Sequence, residues 1–175
     1  CHDVAEYRLL TEFIWHMGCR VSEAQKMQWG RINLSSSRIH FVKTKTSRPR
    51  SLPISDAVES VIMQSKQQRP GQSPFVQSYK NYLKYYTKCV INTCQYFGLG
   101  ADIEKQWRIH TLRHTKLTRL ANQGANAVQI QYWAGHLNLT TSQGYIHGSG
   151  VDLECLINLE RSQAVQNSAI LGHIH

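Results

Sequence analysis

The chain has 175 residues, 41% of them hydrophobic, which is enough for one domain with its own core. Twenty Lys and Arg against 11 Asp and Glu give a formal charge of +9, the footprint of a surface that binds a polyanion. No apolar run is long enough to span a membrane and no basic-then-apolar leader is visible, so neither a transmembrane helix nor a signal peptide is expected. Five cysteines, Cys1, Cys19, Cys89, Cys94 and Cys155, are irregularly spaced with no C-x-x-C pair, which argues against a disulfide framework and a structural zinc site. Reduced thiols fit a cytoplasmic protein.

In chain order, Val4 to Met17 carries Leu9, Leu10, Phe13, Ile14 and Met17 at helical spacing and reads as an amphipathic helix ended by Gly18. A second short helix is expected from Ser22, a candidate N-cap, closing at Trp29-Gly30. After the turn Ser35-Ser36-Ser37, the segments Arg38 to Lys43 and Arg50 to Ile54 alternate polar and apolar residues, which predicts a basic β-hairpin. Helices follow over Asp56 to Gln68 and Ser78 to Phe97, separated by Arg69-Pro70-Gly71, with a break at Gly98-Leu99-Gly100. Four more are expected at about His110 to Gln123, Asn126 to Ala134, Thr140 to Tyr145 or slightly beyond, and Asp152 to Ala164. The fold class is therefore α+β, mainly α-helical, with a small antiparallel sheet in the N-terminal third.

The positive charge is unevenly distributed. No acidic residue lies between Glu23 and Asp56, a stretch holding Lys26, Arg31, Arg38, Lys43, Lys45, Arg48 and Arg50. None lies between Glu104 and Asp152, where Lys105, Arg108, Arg113, Lys116 and Arg119 fall. On the helix over Ser78 to Phe97, Lys80, Lys84 and Lys88 recur every four residues and form one basic stripe, with Tyr79, Tyr82, Tyr85 and Tyr86 expected on the packed side. Lys43, Arg48, Arg50, Lys80, Lys84, Lys88 and Lys116 are the candidate nucleic-acid contacts.

Arg20 stands at a helix boundary, where a guanidinium can face an anion; Glu23 either pairs with it or faces solvent. In His110-Thr111-Leu112-Arg113-His114-Thr115, His110 and Arg113 are three apart on one helix face and can share a ligand. His110 and His114 at i, i+4 also have zinc-ligand spacing. Thr111, however, stands where a zinc protease would need glutamate, and no third ligand lies near. Gly135-His136 follows an apolar helix, and Tyr145 comes nine residues after His136.

In order and spacing these elements resemble the tyrosine recombinase or phage integrase family: an arginine near a helix, a lysine in a basic hairpin, H-x-L-R-H-T, G-H and then a tyrosine. The match runs from about residue 8 to 147. The resemblance implies that Arg20 and Arg113 hold a DNA phosphate, that His110 and His136 assist, and that Tyr145 is the nucleophile. It leaves Lys43 and Lys45 as candidates for the general acid; counting back from Pro53, which resembles the end of the family's second hairpin strand, favours Lys45.

The expected reaction is attack by Tyr145 on a phosphodiester, giving a 3′-phosphotyrosyl link and a free 5′-hydroxyl. Strands are then exchanged and rejoined without metal, cofactor or ATP. His110 is the expected base for the tyrosine, with His136 orienting phosphate or tyrosine. The implied partner is double-stranded DNA, with a tetramer on DNA joined through the segment after residue 151 and a monomer when free. The implied setting is a prokaryotic cell or a phage, plasmid or other mobile element. Residues 1–175 are read as one catalytic domain, 151–175 being its C-terminal helix and tail, without the N-terminal helical domain that closes the family's DNA clamp. A type IB topoisomerase-like enzyme, a non-enzymatic DNA-binding module of the same fold and a zinc hydrolase are the alternatives.

Overall fold

A computed structural model of the chain describes residues 2–148 apart from 46, 72, 76 and 77. Helix α1 (His2–Met17) turns its Leu9, Leu10, Phe13, Ile14 and Met17 face wholly inward, as its periodicity requires. Helix α2 (Val21–Gln25) follows at once. Its N-cap is Arg20 rather than Ser22, because the Glu23 carboxylate turns back to accept the Arg20 backbone N–H at 2.8 Å. The expected continuation to Gly30 is instead a separate 3-10 turn at Trp29–Arg31.

The expected hairpin is present as β2 (Arg38–Phe41) and β3 (Arg50–Pro53), paired antiparallel with Ile39 opposite Leu52. A short strand β1 (Ile32–Asn33), absent from the sequence reading, adds to β2 and gives the order β1-β2-β3. Ile39, Phe41 and Leu52 point into the core.

Helix α3 (Asp56–Gln68) packs along α1, and α4 (Tyr79–Tyr96) starts at Ser78, whose side chain accepts the Asn81 N–H. On α4, Tyr82 is fully buried and bonded to Thr11, Tyr85 and Tyr86 are half-buried, and Lys80, Lys84 and Lys88 are exposed. Tyr79 departs from the expected packed side and is half exposed.

A six-residue helix α5 (Ala101–Gln106), too short to leave a periodic signal, precedes α6 (Ile109–Asn122), α7 (Ala127–Ala134) and α8 (Thr140–Gly148). Asn126 and Gln129 close a reciprocal capping box on α7. The main core joins α1 to α4 and the sheet, while a smaller cluster around Leu117, Ile130 and Ala134 joins α6, α7 and α8. Trp133 touches both and donates its indole N–H to the Met17 carbonyl at 2.8 Å, so the two halves are locked at the end of α1. The expected helix over Asp152 to Ala164 lies outside the described residues.

Candidate active site

The site forms where α1, α6, α7 and α8 converge. Gly18 adopts φ +62° at the end of α1, and a Cβ there would lie 2.8 Å from the Lys116 Cγ, so a glycine lets α6 approach closely. Arg113 is buried beside it. Its Nη1 donates to the Gly18 carbonyl and its Nη2 to the Ala134 carbonyl, both at 2.9 Å, which binds the C-terminal ends of α1 and α7 to α6. Burial, with help from the Arg20 charge, lowers its pKa to about 10, so the guanidinium stays charged at neutral pH.

Arg20 lies next to this arginine with its side chain 25% exposed. Its Nη1 is buried without a hydrogen-bond partner; the nearest carboxylate oxygen, Glu23 Oε1, is 3.8 Å away. Glu23 is not a solvent-facing charge, and the ion pair expected with Arg20 is present at 3.8 Å but is not its closest one. It is buried, and its two oxygens accept from Arg50 Nη1 at 2.8 Å and Nη2 at 3.0 Å, with Ser47 Oγ adding a bond at 2.8 Å. Burial works to raise the Glu23 pKa, but the hydrogen bonds and charge of Arg50 outweigh it and hold the carboxyl at about 2.

This corrects the reading of Arg50 as a DNA contact. Its side chain is 1% exposed, its Nε donates to the Trp133 carbonyl at 2.7 Å, and its guanidinium stacks on Phe41. With its donors turned inward it cannot reach a phosphate outside the fold. Gly135, at φ +69°, completes the joint: a Cβ there would run into Ser47 and come within 2.7 Å of Arg50 Nη1. The Arg48 backbone N–H donates to the Gly135 carbonyl at 3.1 Å, so the hairpin is fastened to the turn that carries His136.

His136 is buried between Arg113 and Ser142. Its Nε2 lies 3.0 Å from Arg113 Nη2 and its Nδ1 2.9 Å from Ser142 Oγ. A guanidinium can only donate, so Nε2 accepts, and the neutral ring carries its proton on Nδ1 and donates to the serine. Burial and then the Arg113 charge push its pKa down to about 4, which keeps the ring neutral.

Tyr145, on α8, lies nearly parallel to the His136 ring at 15°, with 6.2 Å between centroids. Burial raises its pKa while the charges of Arg113 and Arg20 lower it, so the hydroxyl holds its proton at neutral pH in a field that favours the phenolate. The Tyr145 Oη is 2.8 Å from Nδ1 of His114, one residue beyond Arg113 on α6.

The fold thus brings Arg20, Arg113, His136 and Tyr145 together. His110, expected as the base, is exposed on the first turn of α6, and no hydrogen bond joins it to Tyr145 among the described residues. His114 was legible only as a possible zinc ligand, although it is the second histidine of the same motif. Ser142 had no sequence signal beyond its place three residues before Tyr145.

Lys45 stands exposed in a turn beside the Thr44–Ser47 bridge, and Lys43 is exposed one residue before that bridge. Arg48 is exposed, with Nη2 donating to the Leu137 carbonyl at 3.0 Å. Lys116 is half-buried with its ammonium 5.1 Å from the Trp133 ring centre, which separates it from the exposed lysines of α4.

Two solved structures share this arrangement of helices. One is the Tn1549 transposon integrase in complex with transposon right end DNA, with TM-score 0.65 and 20% identity, covering 88% of this chain and 57% of that one. The other is the catalytic domain of bacteriophage HP1 integrase, with TM-score 0.59 and 21% identity, covering 86% and 79%. The fold is that of a tyrosine recombinase catalytic domain. The chain belongs to the phage integrase family, whose model, described as Phage integrase family, matches residues 2–150.

Among its relatives, tyrosine recombinase XerD of Staphylococcus epidermidis is 29% identical over 150 residues, covering 81% of this chain and 50% of the relative. A tyrosine recombinase of Pseudothermotoga lettingae is 26% identical over 143 residues, covering 79% and 48%. The integrase of Escherichia phage P2 is 26% identical over 142 residues, covering 81% and 38%. The chain spans about half the length of the first two.

Proposed function

We propose that this chain is the catalytic domain of a site-specific DNA recombinase or integrase that breaks and rejoins strands through a 3′-phosphotyrosyl link on Tyr145. The observation that carries the reading is the position of the Tyr145 phenol against the Arg113–His136 pair, within the field of Arg113 and Arg20. A phosphodiester gains charge on its non-bridging oxygens as it is attacked. Two guanidiniums held in place beforehand stabilise that charge without having to reorganise. The Arg20 side chain, one quarter exposed beside Arg113, can offer its guanidinium to such an oxygen. Arg113 already uses Nη1 and Nη2 on carbonyls and His136, so its part is to supply charge and any remaining N–H from a fixed position.

The departing 5′ oxygen needs a proton, and Lys45 on its exposed turn is the candidate donor, with Lys43 the alternative. Double-stranded DNA is the substrate. Lys43, Arg48 and the stripe Lys80, Lys84 and Lys88 are exposed cations available to its phosphates. Relatives that are phage and transposon integrases support a chain encoded by a prokaryotic cell or mobile element; we further propose that its protomers assemble into a tetramer on DNA and separate when free.

The test is to incubate the protein with nicked suicide duplexes and look for a protein–DNA adduct that survives denaturation. Tyr145→Phe removes one oxygen from a half-buried ring, so fold and DNA binding stay and the adduct vanishes. Adduct formation by the variant at the wild-type level would move the nucleophile elsewhere.

A further inference from the structure

We propose that His114, rather than His110, takes the proton from Tyr145 when the tyrosine attacks. The proposal rests on Tyr145 being the nucleophile, and it identifies where the nucleophile's proton goes.

The tyrosine Oη and His114 Nδ1 are 2.8 Å apart, a hydrogen bond already made in the free protein and spanning two helices, α6 and α8. The rings are tilted by 31° with centroids 5.6 Å apart, so the imidazole meets the phenol at its hydroxyl end rather than lying flat on it. The other histidine beside the tyrosine cannot serve. Both nitrogens of His136 are engaged, Nε2 by Arg113 and Nδ1 by Ser142, and taking a proton on Nε2 would break the Arg113 bond. His110 is exposed one turn earlier and has no hydrogen bond to the tyrosine.

Charges around His114 favour a free base before attack. Partial desolvation of the ring lowers its pKa, and Arg113 and His110 on its own helix lower it further. From the neighbouring elements Tyr145 and His136 face it; His136 is neutral, and the tyrosine supplies the proton. The neutral ring therefore carries its proton on Nε2 and offers the Nδ1 lone pair to the phenol. A phosphodiester bound between the arginines brings negative charge that offsets their repulsion, which makes the imidazolium affordable at the moment it is needed.

The step is balanced. The Tyr145 O–H bond breaks, its proton moves to His114 Nδ1, Oη bonds to phosphorus, and the bond from phosphorus to the 5′ oxygen breaks as that oxygen takes a proton from Lys45. On religation the 5′-hydroxyl returns its proton to Lys45 and the imidazolium returns the other to the leaving phenolate. The histidine is the acid of the second step because it was the base of the first.

The experiment measures the rate of adduct formation on a suicide duplex across pH for wild type, His114→Ala, His114→Asn and His110→Ala. Tyr145→Phe is the control, and melting curves verify folding. His114 is exposed, and asparagine keeps an acceptor near the Nδ1 position but takes no proton, so it carries the test should the alanine variant fail to fold. Both His114 variants are expected to be slower by about 100-fold or more at neutral pH. Their rates should keep climbing with pH where the wild-type rate, limited by an already neutral imidazole, has levelled off. Replacing Tyr145 by a fluorinated tyrosine with a more acidic hydroxyl should recover much of the loss in His114→Ala and none of it in Arg113→Ala.

A His114→Ala rate within threefold of wild type, or a slow rate with the wild-type pH profile, overturns the proposal and leaves the histidine a steric or orienting neighbour. A pH profile altered by His110→Ala alone returns the role to His110. An adduct that persists in Tyr145→Phe refutes the underlying reading of the nucleophile, a result distinct from any of these.

Discussion

Replacing Glu23 by glutamine tests the joint on which the site is built. In the native fold this carboxylate receives both terminal nitrogens of Arg50 and the Ser47 hydroxyl, and the two charged side chains are 3% and 1% exposed. Glutamine fills the same space but leaves Arg50 a buried cation without a counterion. Removing one partner of such a pair costs about 3–5 kcal/mol, and the lower end applies here because an amide oxygen still accepts one bond.

The titration of the carboxyl is linked to the same pair. Against burial, Arg50 holds the folded carboxyl at about 2, below its ordinary 4.5, so the stabilisation from this pair depends on pH. The folded pKa is depressed, so this stabilisation is complete above about pH 4.5 and is lost as pH falls toward 2. Urea denaturation at a series of pH values is the assay. At pH 7 Glu23→Gln should be about 3 kcal/mol less stable than wild type, a large share of the 5–15 kcal/mol of an ordinary domain. The gap should close as the pH is lowered below 4.5. His136, whose pKa is also depressed, destabilises wild type and variant alike between 6.5 and about 4 and cancels in the difference. A loss under 1 kcal/mol at pH 7, or a gap that does not change with pH, would refute the view that this pair holds the hairpin to the site.

Three further outcomes are expected. Gly135→Ala puts a methyl against Ser47 and Arg50 at a left-handed φ, so it should lower stability by about 2 kcal/mol or more in a thermal or urea melt, while Gly124→Ala, at φ +88° with nothing near, should cost only the backbone strain of about 1–2 kcal/mol. Lys45→Ala should cleave an ordinary duplex very slowly but one with sulfur at the bridging 5′ position at close to the wild-type rate, because a thiolate leaves without a proton; equal defects on both substrates would make Lys45 a binding residue, and selective rescue of Lys43→Ala would transfer the role to its neighbour. Affinity for DNA should fall linearly on a log–log plot against salt, and the slope should become shallower in Lys80→Ala/Lys84→Ala if the α4 stripe touches phosphates; an unchanged slope removes that stripe from the interface.

Elements with local signals were legible in the chain alone. Asp56–Gln68 lies between an N-terminal acidic turn and Arg69-Pro70-Gly71, and α3 has those bounds; Asn126 and Gly135 mark the ends of α7 in the same way. Two-residue β1 and six-residue α5 are too short to express a period, and both were missed. The motif order made Arg20, Arg113, His136 and Tyr145 candidates, but not the contacts among them, since nothing in sequence links residues far apart along the chain.

That is why Arg50, one of seven basic residues in an acid-free stretch, was read as a DNA contact. Its counterion, Glu23, is 27 residues away at the edge of that stretch and meets it only when the hairpin folds back on α2. The same reason hid the bond between His114 and Tyr145, 31 residues apart.

The pairing of Glu23 with Arg50 has a further consequence for its neighbours. With the one buried carboxylate among the described residues bonded to Arg50 and 3.8 Å from Arg20, the Arg20 charge beside Arg113 adds to burial in disfavouring the cationic form of Arg113. The site between Arg20 and Arg113 is thus one of mutual repulsion, withstood by the bonds of Arg113 to the Gly18 and Ala134 carbonyls. A polyanion entering it relieves that repulsion as well as making its own contacts, so occupancy and stability rise together. Inorganic sulfate or a short oligonucleotide should raise the melting temperature of the wild-type protein by more than that of Arg20→Ala.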